Sequence, residues 1–340
     1  MMRVVLKLML FVSCLFCMQV KAQDHLYTQF YNAPNYLNPA LNGQFNGDLR
    51  FNLIYRSQWT NLPGPLNYYT FSVDYQVPRF GGGFGLLVTK SSEGIAYYNK
   101  TNISGIYSYS VAFDNGALPF GLQAGLTNRK IDFEKLLFSD QIDPVTGIIP
   151  GSTSSASALP FNGRSFFDPG AGINLVKGNL MLGFSAQHIN KPDQSLTGSR
   201  YALEPRYNAH FSYSITTNSY ADEPPQIIPS VVYFQQGTVK EYSAGMQFKT
   251  RNVNLGLWYK GNGVQQDAVA FTLILDLFPR RDTYDKLRVG VSHDATTSKL
   301  SWGKTAGTTE AALNYEIIFP NSSKSNFNNQ NSGKRCYDFY

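Results

Sequence analysis

Length, composition and charge exclude several classes of protein at the outset. The chain has 340 residues and a formal net charge of +6, too mild an excess to favour a nucleic-acid partner. Charged residues make up only 15% of it, whereas 22 Tyr and 24 Phe make it rich in aromatic side chains.

Residues 1–22 have the pattern of a secretory signal peptide. Arg3 and Lys7 form a positive n-region, an apolar run covers 8–18, and Ala22 precedes the expected cleavage before Gln23. A transmembrane anchor is the alternative, but it needs about 20 apolar residues. Cleavage leaves 340 − 22 = 318 residues with 29 − 3 = 26 basic and 23 acidic side chains, a net charge of +3. Cys336 then remains alone, which excludes an intramolecular disulfide and a cysteine-based metal site.

Residues 23–47 form a separate segment before the first regular pattern. They contain Pro34 and Pro39 and show no strand alternation. We expect this segment to fold across the periplasmic mouth of the protein or into its interior.

Residues 48–319 carry fourteen segments in which apolar and polar residues alternate. In 67–77, for example, Tyr69, Phe71 and Val73 share one face, and polar residues share the other. The segments lie at 49–56, 67–77, 82–90, 101–113, 117–128, 168–177, 179–189, 207–216, 227–236, 242–249, 252–260, 267–278, 286–295 and 310–319. Most have the roughly 9–11 residues of a tilted membrane strand. No apolar run after residue 22 is long enough for a spanning helix, so a membrane protein of this kind must be a closed barrel.

The connections give a second test of this interpretation. Those after even strands include the tight-turn sequences Asp114-Asn115-Gly116 and Lys177-Gly178-Asn179, whereas those after odd strands include the two longest loops, 129–167 and 190–205. The prediction is an all-β, 14-stranded antiparallel transmembrane outer-membrane β-barrel with both termini in the periplasm. A secreted soluble β-sandwich is the alternative, because alternation alone does not say which face points inward.

No catalytic constellation is visible in the sequence. There is no His-Glu-x-x-His, P-loop or Gly-x-Ser-x-Gly motif, and we expect neither enzymatic activity nor a bound metal or cofactor. The glycines of Gly82-Gly83-Phe84-Gly85 are expected to ease a turn or strand curvature. His188 and His293 fall on the apolar register. Six polar residues are predicted to face the lumen or a partner, with mutual pairing across the lumen as the alternative: Arg50, Arg56, Asp74, His210, Lys249 and Glu316.

Residues 320–340 follow the last strand and end in Cys336-Tyr337-Asp338-Phe339-Tyr340. Asn, Ser and Lys dominate the first part of this segment. It is expected to be a periplasmic tail, which is either solvated or acts as a docking peptide or plug.

An ordered series of short motifs resembles the PorP/SprF family of Bacteroidota outer-membrane proteins. The series is Asn38-Pro39-Ala40-Leu41-Asn42-Gly43, Tyr55-Arg56-Ser57-Gln58-Trp59, Gly170-Ala171-Gly172-Ile173, Leu182-Gly183-Phe184-Ser185-Ala186-Gln187-His188, Pro229-Ser230, Leu255-Gly256-Leu257-Trp258-Tyr259 and Arg335-Cys336. The chain departs from the family at Tyr337, where a proline is expected. Trp59 is a candidate either for partner binding or for an aromatic girdle at the headgroup level.

The resemblance implies a component of the type IX secretion system, often linked to gliding motility. Its members are understood to bind the C-terminal targeting domain of a cognate secreted adhesin and to support its secretion or surface anchoring. Other secretion and gliding components, including periplasmic lipoproteins, are the further partners implied, together with outer-membrane lipid. Two alternatives remain open: a porin or transporter of small hydrophobic molecules, and a scaffold that couples the outer membrane to periplasmic motor or peptidoglycan-binding components.

Overall fold

The computed structural model describes nine stretches of the chain. They are residues 24–77, 81–95, 98–132, 136–154, 163–196, 200–217, 224–278, 285–319 and 335–339. The predicted signal peptide lies outside the described residues, as does the tail segment 320–334.

Fourteen antiparallel strands form a closed barrel. The strands are β1 (Leu49–Gln58), β2 (Leu66–Val77), β3 (Gly82–Glu93), β4 (Tyr98–Phe113), β5 (Gly116–Ile131), β6 (Arg164–Lys177), β7 (Leu180–Gln187), β8 (Arg206–Tyr213), β9 (Gln226–Gln236), β10 (Val239–Lys249), β11 (Val253–Gly261), β12 (Gln266–Leu277), β13 (Lys286–Thr296) and β14 (Thr308–Ile317). Each strand pairs with the next along the chain, and β1 pairs with β14 to close the ring. All fourteen predicted strands are confirmed, although β3, β4, β5, β6 and β10 are three or four residues longer than predicted.

The two faces of the barrel wall differ as the alternation predicts. On β1 the outward Leu53 is 47% exposed, whereas the neighbouring Asn52 and Ile54 are buried. On β2 Tyr69 and Phe71 are exposed, whereas the inward Thr70 and Ser72 are buried. A soluble sandwich would bury the apolar face, but here that face covers the outside of a closed ring, as in a barrel surrounded by lipid.

The N-terminal segment occupies the lumen. It contains the 3₁₀ turn Phe30–Asn32, the helical turn Pro34–Leu37 and the 3₁₀ turn Pro39–Leu41. Its apolar side chains are almost fully buried against inward residues of the wall: one cluster joins Tyr27, Ala33 and Tyr36 to Ile54, Leu87, Ile106 and Ala312. We call residues 24–48 the plug.

The C-terminal peptide Arg335–Phe339 also lies in the lumen, where Cys336–Phe339 form a 3₁₀ turn. Cys336 and Phe339 are fully buried and pack with Leu26 and Phe30 of the plug and with Met181 of the wall. Of the two interpretations of the tail, the structure therefore supports a plug for these five residues.

The connections divide the barrel into two ends. The short-turn end carries the turns 114–115, 178–179 and 250–252, and the long-loop end carries the connections 132–163 and 188–205. Besides the turns in the lumen, four short elements accompany the fourteen strands in the described residues: Ser139–Gln141, the hairpin Ile142–Asp143 with Gly147–Ile148, the strand Ile215–Thr216, which pairs with β9, and the helical turn Trp302–Thr305. Among the described residues, no helix is long and apolar enough to cross a membrane.

Candidate functional site in the barrel lumen

The base of the plug is the sequence Asn38-Pro39-Ala40-Leu41-Asn42-Gly43, held at the short-turn end. The Asn38 side chain accepts a hydrogen bond from Ala40 N (2.9 Å), which caps the 3₁₀ turn, and donates to the carbonyls of Ile173 and Phe184 at 3.0 and 3.3 Å. Asn38 thus stabilises its own 3₁₀ turn and also anchors that turn to β6 and β7.

Asn42 and Gly43 continue this attachment. Asn42 Nδ2 donates to Ser108 Oγ (3.1 Å), whose hydroxyl donates back to Asn42 O (2.7 Å). Gly43 has φ +68°, and a Cβ there would lie 2.8 Å from the carbonyl carbon of Gly82. Glycine adopts this positive φ without strain and has no Cβ to collide with Gly82, so no other residue type fits here without strain.

An ion pair on the barrel wall contacts the base of the plug. Arg50 and Asp74 lie directly opposite each other on β1 and β2. They form two hydrogen bonds, from Nε to Oδ1 (3.0 Å) and from Nη2 to Oδ2 (2.7 Å). Asp74 also accepts from Gly43 N (2.8 Å), and Arg50 donates to Leu41 O (3.3 Å). The pair is therefore shared between wall and plug.

Inward-facing glycines make room for the plug. A Cβ on Gly121 would lie 2.2 Å from the carbonyl carbon of Pro39. A Cβ on Gly172 or Gly85 would lie 2.0 or 2.1 Å from an Asn side-chain oxygen of the plug, and one on Gly290 would lie 2.2 Å from that of Gln29. The sequence predicts only that Gly85 eases a turn or strand curvature, whereas in the structure it leaves room for the Asn42 side chain.

A second ionic cluster holds the middle of the plug. Arg56 lies opposite Glu310 on β14, with 2.5 Å between Nη1 and Oε1, and Lys260 Nζ lies 3.1 Å from Asp294. Glu310 accepts from the backbone N–H groups of Thr28 (2.8 Å) and Gln29 (2.9 Å). The predicted lumenal residues Arg56 and Arg50 thus pair with carboxylates on neighbouring strands and also contact the plug.

At the outer end of the plug, toward the long-loop end, Asp24 contacts several residues of the wall. Its carboxylate contacts Lys100 Nζ of β4, lies 2.6 Å from His188 Nε2, and lies 3.7 Å from Arg206 Nη1 of β8. His188 Nδ1 is 2.6 Å from Asp168 of β6. We call Asp24, Lys100, His188, Arg206 and Asp168 the Asp24 hub.

The position of His188 corrects a prediction from the sequence. It was expected on the apolar face, as continued alternation after β7 requires, but it is only 5% exposed and points into the lumen. Its φ of +56° ends the strand and reverses the side chain. Such a conformation is uncommon outside glycine and costs of order 1 kcal/mol or more. His293 does lie on the outward face, where its Nε2 accepts from Trp302 Nε1 (3.0 Å).

The electrostatics of the hub favour its charged forms. Burial alone would raise the pKa of Asp24, but Lys100, His188 and Arg206 hold it well below 3.8. Burial likewise disfavours the imidazolium of His188, yet the carboxylates of Asp24 and Asp168 raise its pKa above 6.5.

The remaining predicted lumenal residues lie toward the short-turn end. His210 Nε2 is 2.9 Å from Asn174 Oδ1, and Asn174 donates to Cys336 Sγ (3.2 Å). Lys249 donates to Asp338 O of the C-terminal peptide (3.3 Å). Glu316 pairs with Lys286 at 3.0 Å. Lys249 therefore contacts the C-terminal peptide directly, and His210 is linked to it through Asn174.

Trp59 is half-buried and immediately follows β1 at the long-loop end, with φ +59°. Its backbone N–H donates to Gly307 O (2.9 Å). This hydrogen bond joins the β1–β2 connection to the β13–β14 connection. The position is that of a strand-end aromatic, as the girdle interpretation requires.

Sequence reasoning did not single out the Asp24 hub. Its members come from the plug, three strands and one loop, and no spacing along the chain relates them. Together, the closed wall with its apolar exterior and the filled polar lumen define a plugged outer-membrane β-barrel.

The family follows from a direct comparison. A family model described as "Type IX secretion system membrane protein PorP/SprF" matches residues 19–315. The chain belongs to this family, as its motif series indicated, and is an outer-membrane component of the type IX secretion system. No curated protein matches the chain.

Solved structures of other barrels are similar at low identity. The toluene transporter TbuX of Ralstonia pickettii is 10% identical with a TM-score of 0.46, and the match covers 85% of this chain and 94% of TbuX. The toluene transporter TodX of Pseudomonas putida is 10% identical with a TM-score of 0.43, covering 86% and 93%. At these TM-scores the likenesses support no inference about transport.

Proposed function

We propose that this protein is a non-enzymatic docking component that binds the C-terminal targeting domain of a cognate secreted adhesin and supports its secretion or surface anchoring. The observation that carries the proposal is the contrast between a filled lumen and an elaborate long-loop end. With residues 24–48 and 335–339 inside the barrel, the surface available to a folded partner is its rim and loops. Bacterial barrels place short turns in the periplasm, so the long-loop end is assigned to the cell surface.

The connection between β5 and β6 offers a contact surface of suitable chemistry. Beyond the end of β5, Val145 is 92% exposed, and the flanking hairpin strands expose Ile142 and Ile148 at 44% and 62%. Apolar side chains grouped on a loop in water are typical of protein interaction sites. β4 and β5 have 16 residues each, longer than a membrane crossing needs, and so carry this loop away from the bilayer.

Deletion of the protein and measurement of adhesin at the cell surface test the proposal. Surface display should be lost in the deletion strain and restored by the wild-type chain. Unchanged display after deletion contradicts an adhesin-docking role.

A matched pair of variants locates the contact. Val145→Ser should lower surface display, whereas Val264→Ser, at an 89% exposed position in the β11–β12 connection of the same end, should not. Equal display with both variants contradicts docking at the β5–β6 loop. As a control, the amount of barrel in the membrane is measured for each strain, so that a change in display is not due to a change in barrel content.

The alternatives predict different results. A porin or small-hydrophobe transporter gives a steady open conductance in liposomes, which the plug and the C-terminal peptide do not favour. A scaffold for periplasmic motor or peptidoglycan-binding components co-purifies with periplasmic lipoproteins in the absence of adhesin. Co-purification from native membranes distinguishes these roles from adhesin docking.

A further inference from the structure

The connection between β13 and β14, at the long-loop end, carries an exposed group of apolar and cationic side chains. Trp302 is 55% exposed and Leu300 is 43% exposed. Lys299 and Lys304 are also exposed and lie on either side of Trp302 in the sequence. We call Lys299, Leu300, Trp302 and Lys304 the β13–β14 patch. Side chains of this mixed character are favoured at the boundary between lipid and water.

Trp302 places the patch against the outside of the barrel wall. Its Nε1 donates to His293 Nε2 (3.0 Å), and the two rings meet edge to face with their centroids 6.4 Å apart. His293 lies on the outward face of β13, where its Nδ1 is 3.1 Å from Thr309 Oγ1 of β14. Further along the same outward faces, Val291 and Leu313 are 48% and 45% exposed. Trp302 therefore lies where the loop meets the lipid-facing surface.

The backbone of the patch is fixed to the barrel. Ser301 and Ala306, which flank its helical turn, have φ of +54° and +56°. These angles are unfavourable for residues with a Cβ, so surrounding contacts must impose them. Asn61 of the β1–β2 connection supplies two such contacts, from its N to Thr305 O (3.3 Å) and from its Nδ2 to Lys304 O (3.4 Å). The patch is thus presented by an ordered turn.

The surroundings of the patch leave its two positive charges uncompensated. Residues 295–309 contain no acid, and the adjacent connection 59–65 has no charged residue. The flanking acids Asp294 and Glu310 face the lumen, where both pair with cations. Asp267, at the start of β12, is an exposed acid on the other side. In the part of the chain that the structure describes, neither lysine of the patch forms an ion pair.

We propose that the β13–β14 patch binds the phosphorylated headgroup of lipopolysaccharide. Lys299 and Lys304 contact the lipid A phosphates, Trp302 lies at headgroup level, and an acyl chain covers Val291 and Leu313. Lipopolysaccharide is favoured over a phospholipid because the long-loop end is assigned to the cell surface, where lipopolysaccharide forms the outer leaflet. Adhesin docking is tested separately by surface display, so the two roles can fail independently.

Binding of fluorescein-labelled rough lipopolysaccharide to the full chain in neutral detergent, followed by fluorescence anisotropy, tests this site. Lys299→Gln combined with Lys304→Gln should weaken binding about tenfold or more, because each lysine near an anionic lipid surface strengthens binding several-fold. The matched control combines Lys191→Gln with Lys240→Gln, which removes the same charge from exposed lysines elsewhere at the long-loop end. That control should change the affinity about twofold or less. Wild type should bind dephosphorylated lipopolysaccharide as weakly as the patch variant binds the intact lipid.

Four results overturn the proposal. An equal loss for the two lysine pairs shows general charge attraction and no localised site. Unchanged binding by Trp302→Ser contradicts a patch centred on the indole. Phosphatidylglycerol that competes as well as unlabelled lipopolysaccharide shows a general phospholipid contact, and full displacement by inorganic phosphate at millimolar concentration shows a free-anion site. Heat-modifiable migration in electrophoresis confirms the folded barrel for every variant.

Discussion

The two ends of the plug are held in different ways. Its base makes side-chain and backbone hydrogen bonds to several strands, and its atoms fit against wall positions that are glycine, such as Gly121. Its outer end depends on the ionic contacts of Asp24 in a cleft that still has empty space. Close packing tolerates little displacement, whereas an ionic contact beside a cleft can exchange partners. The comparison predicts an anchored base and a releasable outer end.

The largest expected effect comes from breaking the ion pair at the base. Arg50→Ala leaves the carboxylate of Asp74 buried without its cation, which should lower the free energy of unfolding by about 3–5 kcal/mol. The matched control is Arg164→Ala, because Arg164 also pairs with an aspartate, Asp193, at 2.9 Å but is 49% exposed. That change should cost about 0–1 kcal/mol.

Urea unfolding followed by heat-modifiable migration measures both Arg50→Ala and Arg164→Ala. Similar losses for the two variants would mean that the base of the plug contributes no more than a surface loop does. The anchored-base description would then be wrong.

A smaller effect is expected from filling a glycine position. Gly121→Val places a Cβ 2.2 Å from the Pro39 carbonyl carbon and should lower the free energy of unfolding by about 1–3 kcal/mol. Gly105→Val, on the adjacent strand, is the control, since a Cβ there meets no heavy atom within 4 Å. We expect that control to stay within about 0.5 kcal/mol of wild type. If Gly121→Val changes the free energy of unfolding as little as Gly105→Val does, the plug does not pack against this wall position.

The sequence predicts the wall well because the wall depends on local pattern. A period of two assigns every residue of 49–56 to the inside or outside. The register that places Arg50 opposite Asp74 comes from the structure. The plug has no such period. Asn38 bonds to Ile173 and Phe184, residues 135 and 146 positions away, and nothing local specifies these contacts.

Some signals for the lumen were nevertheless present. Gly85, Gly121 and Gly172 occupy strand positions where a polar inward side chain is usual, and a glycine there leaves room for something else. The inward turn of His188 had no signal, because it depends on one backbone angle at a strand end. Asp24, in turn, precedes every periodic segment of the chain, so no alternation indicated its position.

The smallest expected effect is a pH dependence of the outer end. The folded-state pKa of His188 is raised, so its contribution to stability is complete below about 6.5 and is lost as pH rises through the raised value. The pKa of Asp24 is lowered, so its contribution is present above about 3.8 and is lost as pH falls through the lowered value. The hub should therefore contribute most to the free energy of unfolding between about pH 4 and 6.5.

The groups that face His188 limit how far this weakening goes. Asp24 and Asp168 contact its two ring nitrogens, while Lys100 and Arg206 also approach Asp24. The outer end should accordingly loosen, and not detach, as pH rises from 6 to 9. Urea midpoints across this range should fall for wild type relative to His188→Gln, whose amide does not titrate. Parallel pH profiles for the two proteins would show that His188 does not help to hold Asp24, whose remaining contacts are with Lys100, Arg206 and Gln236.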